Sequence, residues 1–90
     1  MKAVIIMGST SDEPHAKKIT DKLDEYGITW EQHAASAHKQ PLKVLAILTA
    51  NKNEKDIVYI TSAGRSNALS GCVAANSEFP TLACPPLSDK

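Results

Sequence analysis

A surplus of either charge is the first thing this sequence lacks. Ten lysines and arginines stand against ten acidic residues, for a formal net charge of zero. That removes the electrostatic footprint of a general nucleic-acid binder and of a polybasic membrane anchor. No uninterrupted apolar run approaches the ~20 residues a membrane span requires. The first residues run straight into a strand-like segment, without the apolar core and cleavage site of a signal peptide. The expectation is a soluble, cytoplasmic protein with neither a membrane nor a nucleic acid as partner. Aromatic residues are equally scarce, only Tyr26, Trp30, Tyr59 and Phe79. The core must therefore be aliphatic, as it is where helices pack on a parallel sheet. Two cysteines, Cys72 and Cys84, have no metal-binding or redox spacing. In their apolar surroundings they read as reduced, small hydrophobes. Ninety residues suffice for a single small domain, residues 1–90.

What the chain does have is alternation. Residues 2–7 (KAVIIM) form a run rich in β-branched residues, as in a strand buried on both faces. Asp12 is placed to cap a helix that Glu13 and Pro14 open. Ala16, Ile19, Leu23 and Tyr26 recur at helical spacing, and Gly27 supplies a left-handed stop. Residues 28–35 (ITWEQHAA) read as a second, more polar strand, suited to a sheet edge. Pro41 starts a helix to about Ala50, with Leu42, Val44, Leu45, Ile47 and Leu48 as a broad apolar face. After the polar loop NKNEK, residues 56–62 (DIVYITS) form a third strand. Residues 68–76 (ALSGCVAAN) suggest a short helix of small residues, and residues 81–85 (TLACP) a fourth strand. The βαβαβαβ order predicts a three-layer αβα, flavodoxin-like fold with a parallel sheet of strand order 2-1-3-4. Such a sheet normally continues with a fifth strand. The chain therefore reads either as a piece truncated before that strand or as a small domain stabilised by association.

In open α/β sheets, ligands bind beyond the carboxyl ends of the strands where strand order reverses. Three loops meet that description here. Gly8–Asp12 (GSTSD) offers close backbone approach, hydroxyls and helix N-terminal amides suited to an anion. Helix capping by Ser11 or Asp12 accounts for the same residues equally well. It is neither a Walker loop nor a GxGxxG fingerprint. Ser36–Lys39 (SAHK) carries His38, whose imidazole is matched to proton transfer near neutral pH. The alternative is a surface histidine capping the next helix. Ala63–Asn67 (AGRSN) sets a guanidinium, a hydroxyl and an amide on one turn, a set fitted to carboxylate or phosphate. The alternative is a polar turn in which Asn67 caps a helix. His33, inside a strand, and His15, on an exposed first turn, read as structural.

Taken together, MGSTSD, SAHK, AGRSNALSG and CPP, in this order and spacing, resemble the aminoimidazole ribonucleotide (AIR) carboxylase family of purine biosynthesis. The resemblance spans essentially all 90 residues. It implies a flavodoxin-like fold, a homo-oligomer (typically an octamer), and formation of 4-carboxy-5-aminoimidazole ribonucleotide from a small ribonucleotide substrate. The family has a mutase branch acting on the N5-carboxylated nucleotide, with an SAHR loop and a histidine in the third loop. Lys39 and AGRSN instead match the branch that carboxylates AIR directly with CO2.

By position, the resemblance implies that Ser9, Ser11 and Asp12 hold the ribose phosphate and hydroxyls, helped by Lys39. Ser36 would line the base, and His38 would be the general acid/base at C4. Arg65, Ser66 and Asn67 would form the pocket for CO2 or the nascent carboxylate. Gly8, Ala63 and Gly64 complete the substrate-binding loops. CO2 enters as co-substrate, with no metal and no biotin. Two other readings remain open: the mutase, and a non-catalytic nucleotide-binding fragment.

Overall fold

The computed structural model describes residues 1–8, 10–36, 39–54, 56–62, 69, 72–74, 77 and 79–83. Four parallel strands, β1 (Lys2–Met7), β2 (Thr29–Ala34), β3 (Ile57–Ser62) and β4 (Thr81–Ala83), form one sheet in the order β2-β1-β3-β4. A 3₁₀ turn (Thr10–Asp12) leads into α1 (Glu13–Glu25), and α2 (Pro41–Ala50) joins β2 to β3. The chain steps one way from β1 to β2, then back across β1 to β3. Crossovers of one hand then require α1 and α2 on opposite faces. The two apolar clusters show that arrangement. Ala3, Ile5, Met7 and Ile60 pack with Ala16 of α1, while Val4, Ile6, Ile57 and Tyr59 pack with Val44, Ile47 and Leu48 of α2. Leu69 and Val73, both helical, join the α2 side. This is the flavodoxin-like αβα fold. No helix among the described residues is long and apolar enough to cross a membrane.

Register explains the polarity of β2. Val4 faces Glu31 and Ile6 faces His33 on the α2 side of the sheet. Central β1 is buried almost throughout, whereas every residue of edge strand β2 keeps some exposure. Lys2, at the start of β1, reaches Glu31 at 2.6 Å, Asn51 Oδ1 at 2.9 Å and Glu54 at 3.6 Å. Glu31 also meets His33 Nε2 at 2.6 Å. Burial pushes the Glu31 carboxyl up, but the His33 and Lys2 hydrogen bonds outweigh it and hold it below the ordinary carboxylate value. The hydrogen bond to Glu31 raises Lys2. His33 is thus held in a polar seam of the scaffold, in keeping with its structural reading.

Helix α1 ends in a Schellman motif. Gly27 has φ +71°, its N–H donates to Asp24 O at 3.1 Å, and Ile28 N–H donates to Leu23 O at 2.8 Å. Ile28 and Leu23 both pack against the α1-side cluster, the apolar contact that accompanies this motif. Ile28 therefore belongs to the helix stop, and β2 starts one residue later than its composition suggests. Asp56 likewise precedes β3 rather than joining it, with φ +61°. On α2, Val44, Ile47 and Leu48 are buried, but Leu42 is 79% exposed and Leu45 37%. The expected broad apolar face is therefore a narrower stripe, because the sheet covers only one side of the helix. The third helical stretch lies partly, and residues 84–85 of the fourth strand wholly, outside the described residues.

Candidate active site

The site is built where β2, β1 and β3 end side by side, with Met7 opposite Ala34 and Ser62. Two backbone hydrogen bonds carry the alignment past the strands. Ala35 N–H donates to Met7 O at 2.8 Å, and Gly8 N–H donates to Ser62 O at 2.8 Å. The GSTSD, SAHK and AGRSN loops therefore start from three adjacent strand ends, at the point where strand order reverses.

In the first loop, Gly8 continues β1 and Thr10–Asp12 make the 3₁₀ turn that feeds α1. Asp12 occupies the N-cap of α1, but its backbone is already helical (φ −86°, ψ −1°) and its side chain makes no capping hydrogen bond. The position was legible; the capping bond is not made, because an N-cap side chain reaches the helix amides from extended backbone. Ser11 is exposed and Asp12 half-buried. Ser11 and Thr10 lie on a groove between α1 and β2 that Lys17 and Gln32 also line. Ser9 lies outside the described residues. His15, expected on an exposed turn, is half-buried.

In the second loop, Ala35 is buried and Ser36 closes the turn. Its hydroxyl accepts the Lys39 N–H at 3.1 Å, and its carbonyl accepts the Gln40 N–H at 2.8 Å. Gln40 is the N-cap of α2, and its carbonyl takes the N–H of Lys43 at 3.1 Å and of Val44 at 3.2 Å. The N-cap position of α2 thus belongs to Gln40. Lys39 is exposed. His38 itself lies outside the described residues, as do Ala63, Gly64, Arg65, Ser66 and Asn67.

One residue at this edge was not identified as part of the site. Ser62, the last residue of β3, is fully buried, and its hydroxyl has no hydrogen-bond partner among the described residues. A lone serine closing an apolar strand was the available signal. Among the described residues no group of histidine, cysteine and acidic side chains could hold a metal ion.

The AIR carboxylase family model, described as "AIRC: AIR carboxylase", matches residues 2–90. Over 90 residues the chain is 57% identical to a phosphoribosylaminoimidazole carboxylase of Archaeoglobus fulgidus, covering 100% of this chain and 49% of that protein. It is 45% identical to one of Treponema denticola, covering 96% of this chain and 55% of the relative. The human bifunctional phosphoribosylaminoimidazole carboxylase/succinocarboxamide synthetase is 38% identical, over 97% of this chain and 21% of that protein. The crystal structure of Treponema denticola PurE superposes with a TM-score of 0.94 at 44% identity, over 98% of this chain and 56% of that one. The chain thus spans about half the length of the first two relatives.

Proposed function

Since this chain belongs to the AIR carboxylase family, we propose that it takes part in purine biosynthesis as the nucleotide-binding and proton-transfer part of an enzyme carboxylating 5-aminoimidazole ribonucleotide. The observation that carries this reading is the convergence of three motif-bearing loops on adjacent strand ends, tied by the Gly8–Ser62 and Ala35–Met7 hydrogen bonds. The aminoimidazole ring is an enamine-like nucleophile. Its C4 forms a carbon–carbon bond to CO2, one C=O π pair moves onto oxygen as carboxylate, and the C4 proton then leaves to restore the ring. No covalent protein nucleophile, metal or biotin is needed for that balance. The protein must orient the nucleotide, keep CO2 in a dry pocket and move one proton.

His38 is the base that takes the C4 proton and returns it in the reverse direction. Ser9, Ser11, Asp12 and Lys39 hold the ribose phosphate and hydroxyls, and Ser36 lines the base. Arg65, Ser66 and Asn67 receive the carboxylate, with Gly8, Ala63 and Gly64 allowing close backbone approach. Lys39 and the AGRSN loop support the CO2-using branch over the mutase. The same reading makes the protein cytoplasmic and its working form a homo-oligomer, an octamer by family resemblance.

The test is His38→Asn in the full chain. Turnover falls by at least about 10²–10⁴-fold, while AIR binding measured by calorimetry is retained. Carboxylation by the variant at wild-type rate refutes the role of His38. In the same assay, AIR with bicarbonate is used faster than the N5-carbamate in CO2-depleted buffer; the reverse order assigns the mutase branch. Binding without turnover by the wild-type chain would leave a nucleotide-binding module instead.

A further inference from the structure

A cavity of about 500 Å³ lies between the carboxyl end of α2 and the segment leading into β4, at the opposite end of the sheet from the motif-bearing loops. Its size falls in the range of about 300–1,000 Å³ usual for ligand pockets. Leu45, Leu48 and Phe79 give it an apolar floor, and Lys52, Asn53 and Ser77 a polar rim. Among the described residues that line it there is no acid. A second observation stands behind the rim. Tyr59 is fully buried, yet its hydroxyl has no hydrogen-bond partner among the described residues. Its ring packs on Phe79, with centroids 6.3 Å apart and planes at 53°. Burial raises the phenol pKa, and the Ser77 side chain works against that rise, so Ser77 lies beside the phenol without completing a hydrogen bond to it. Ser77 Oγ accepts the Phe79 N–H at 3.1 Å, which leaves it a lone pair and its own proton. A phenylalanine at position 59 would fill the same space without burying an unpaired donor.

We propose that this cavity is a second binding site, for a small flat aromatic carboxylate, with its ring on Leu45, Leu48 and Phe79 and its carboxylate on Lys52 and Ser77. The donor set selects the head group. The Lys52 ammonium can only donate, Ser77 has its proton to give, and Asn53 adds an amide N–H. One positive charge and no negative one on the rim suit a ligand with a single anionic group. The last carbonyls of α2 would oppose an anion, but those of Leu48 and Thr49 are taken by the Asn51 and Lys52 N–H groups. When Ser77 gives its proton to the ligand, its remaining lone pair is left for the Tyr59 O–H, which gains the partner it lacks. The site uses none of the residues given a role in carboxylation above.

The experiment titrates the full chain with benzoate, followed residue by residue in NMR spectra, with benzamide and inorganic phosphate as comparators. Benzoate is expected to saturate with a Kd at or below about 1 mM, on the scale open to so small a ligand, and to move the amide signals of Leu48, Ser77 and Phe79. Benzamide, which keeps the ring and lacks the charge, binds about three- to tenfold more weakly, and phosphate leaves those signals in place. In Lys52→Gln, at an exposed position, benzoate loses its advantage over benzamide. Tyr59→Phe weakens benzoate about two- to tenfold, the scale of one hydrogen bond. Failure of benzoate to saturate, as when a second copy of the chain covers this side of α2, overturns the proposal. So do equal binding of benzamide, an equal response to phosphate, an undiminished benzoate preference in Lys52→Gln, or shifts confined to the motif-bearing loops. Turnover of AIR enters none of these readouts, so failure of the enzymatic reading leaves them intact.

Discussion

Single hydroxyls at the carboxyl ends of the strands do different work according to what they can reach. Ser36 and Ser62 follow or close neighbouring parts of the sheet, and both are small polar residues in apolar company. The Ser36 hydroxyl has the Lys39 N–H to accept, while that of Ser62 is buried without a partner among the described residues. A buried, unpaired hydroxyl has lost its water and gained nothing in return, at a cost of about 1–3 kcal/mol. Ser62→Ala should therefore leave stability unchanged or raise it by up to about 1 kcal/mol, checked by urea unfolding. A loss of more than that would mean the hydroxyl is satisfied in solution. From sequence the two serines are indistinguishable, because the difference lies in the geometry of neighbouring backbone N–H groups. Asp12 makes the same point: its place before α1 was legible, but its helical backbone withholds the side chain from the capping bond.

At the scale of elements, patterning was read correctly where one physical constraint dominated. The run KAVIIM is β1 to the residue, because a central parallel strand is covered on both faces and must be apolar throughout. Gly27 ends α1 because its φ of +71° suits a residue without a Cβ. Helix α2 was harder: its sequence is apolar on nearly every side, so periodicity alone does not select the face that meets the sheet. The structure selects Val44, Ile47 and Leu48. Val44→Ala is accordingly expected to destabilise the fold by about 1–3 kcal/mol through lost burial and a residual cavity. Leu42→Ala, at a site 79% exposed, should change stability by less than about 0.5 kcal/mol. Thermal and urea unfolding of the two variants compare them directly; equal losses would mean that the outer side of α2 is also covered in solution.

Across the whole molecule, the polar seam and the three motif-bearing loops draw on the same strands. The GSTSD, SAHK and AGRSN loops follow the carboxyl ends, whereas Lys2 anchors its polar seam from the first residue of β1, roughly 17 Å away at about 3.3 Å per residue. The topology that brings the loops together was legible from βαβ alternation and four short motifs. The seam was not, since Lys2, Glu31, His33, Asn51 and Glu54 come from three separate stretches that only the fold aligns. Its pH dependence follows from the sign of each shift. Glu31 titrates lower in the fold than its ordinary value of 4.5, so its stabilisation is present above about that pH and fades as pH falls through the lower, folded value. Lys2 titrates above its ordinary 10.5; its contribution is present below that pH and is lost only above it. Glu31→Gln should therefore be less stable than wild type at pH 7, with the gap narrowing as pH falls below the ordinary carboxylate value of 4.5, followed by urea unfolding at each pH. On the proposed function, kcat and KM for AIR at neutral pH should match wild type, because Lys2 and His33, the partners that lower Glu31, lie outside the three loops. An acid-independent gap would remove Glu31 titration as its cause, and a lowered kcat at unchanged stability would show that the seam reaches the site.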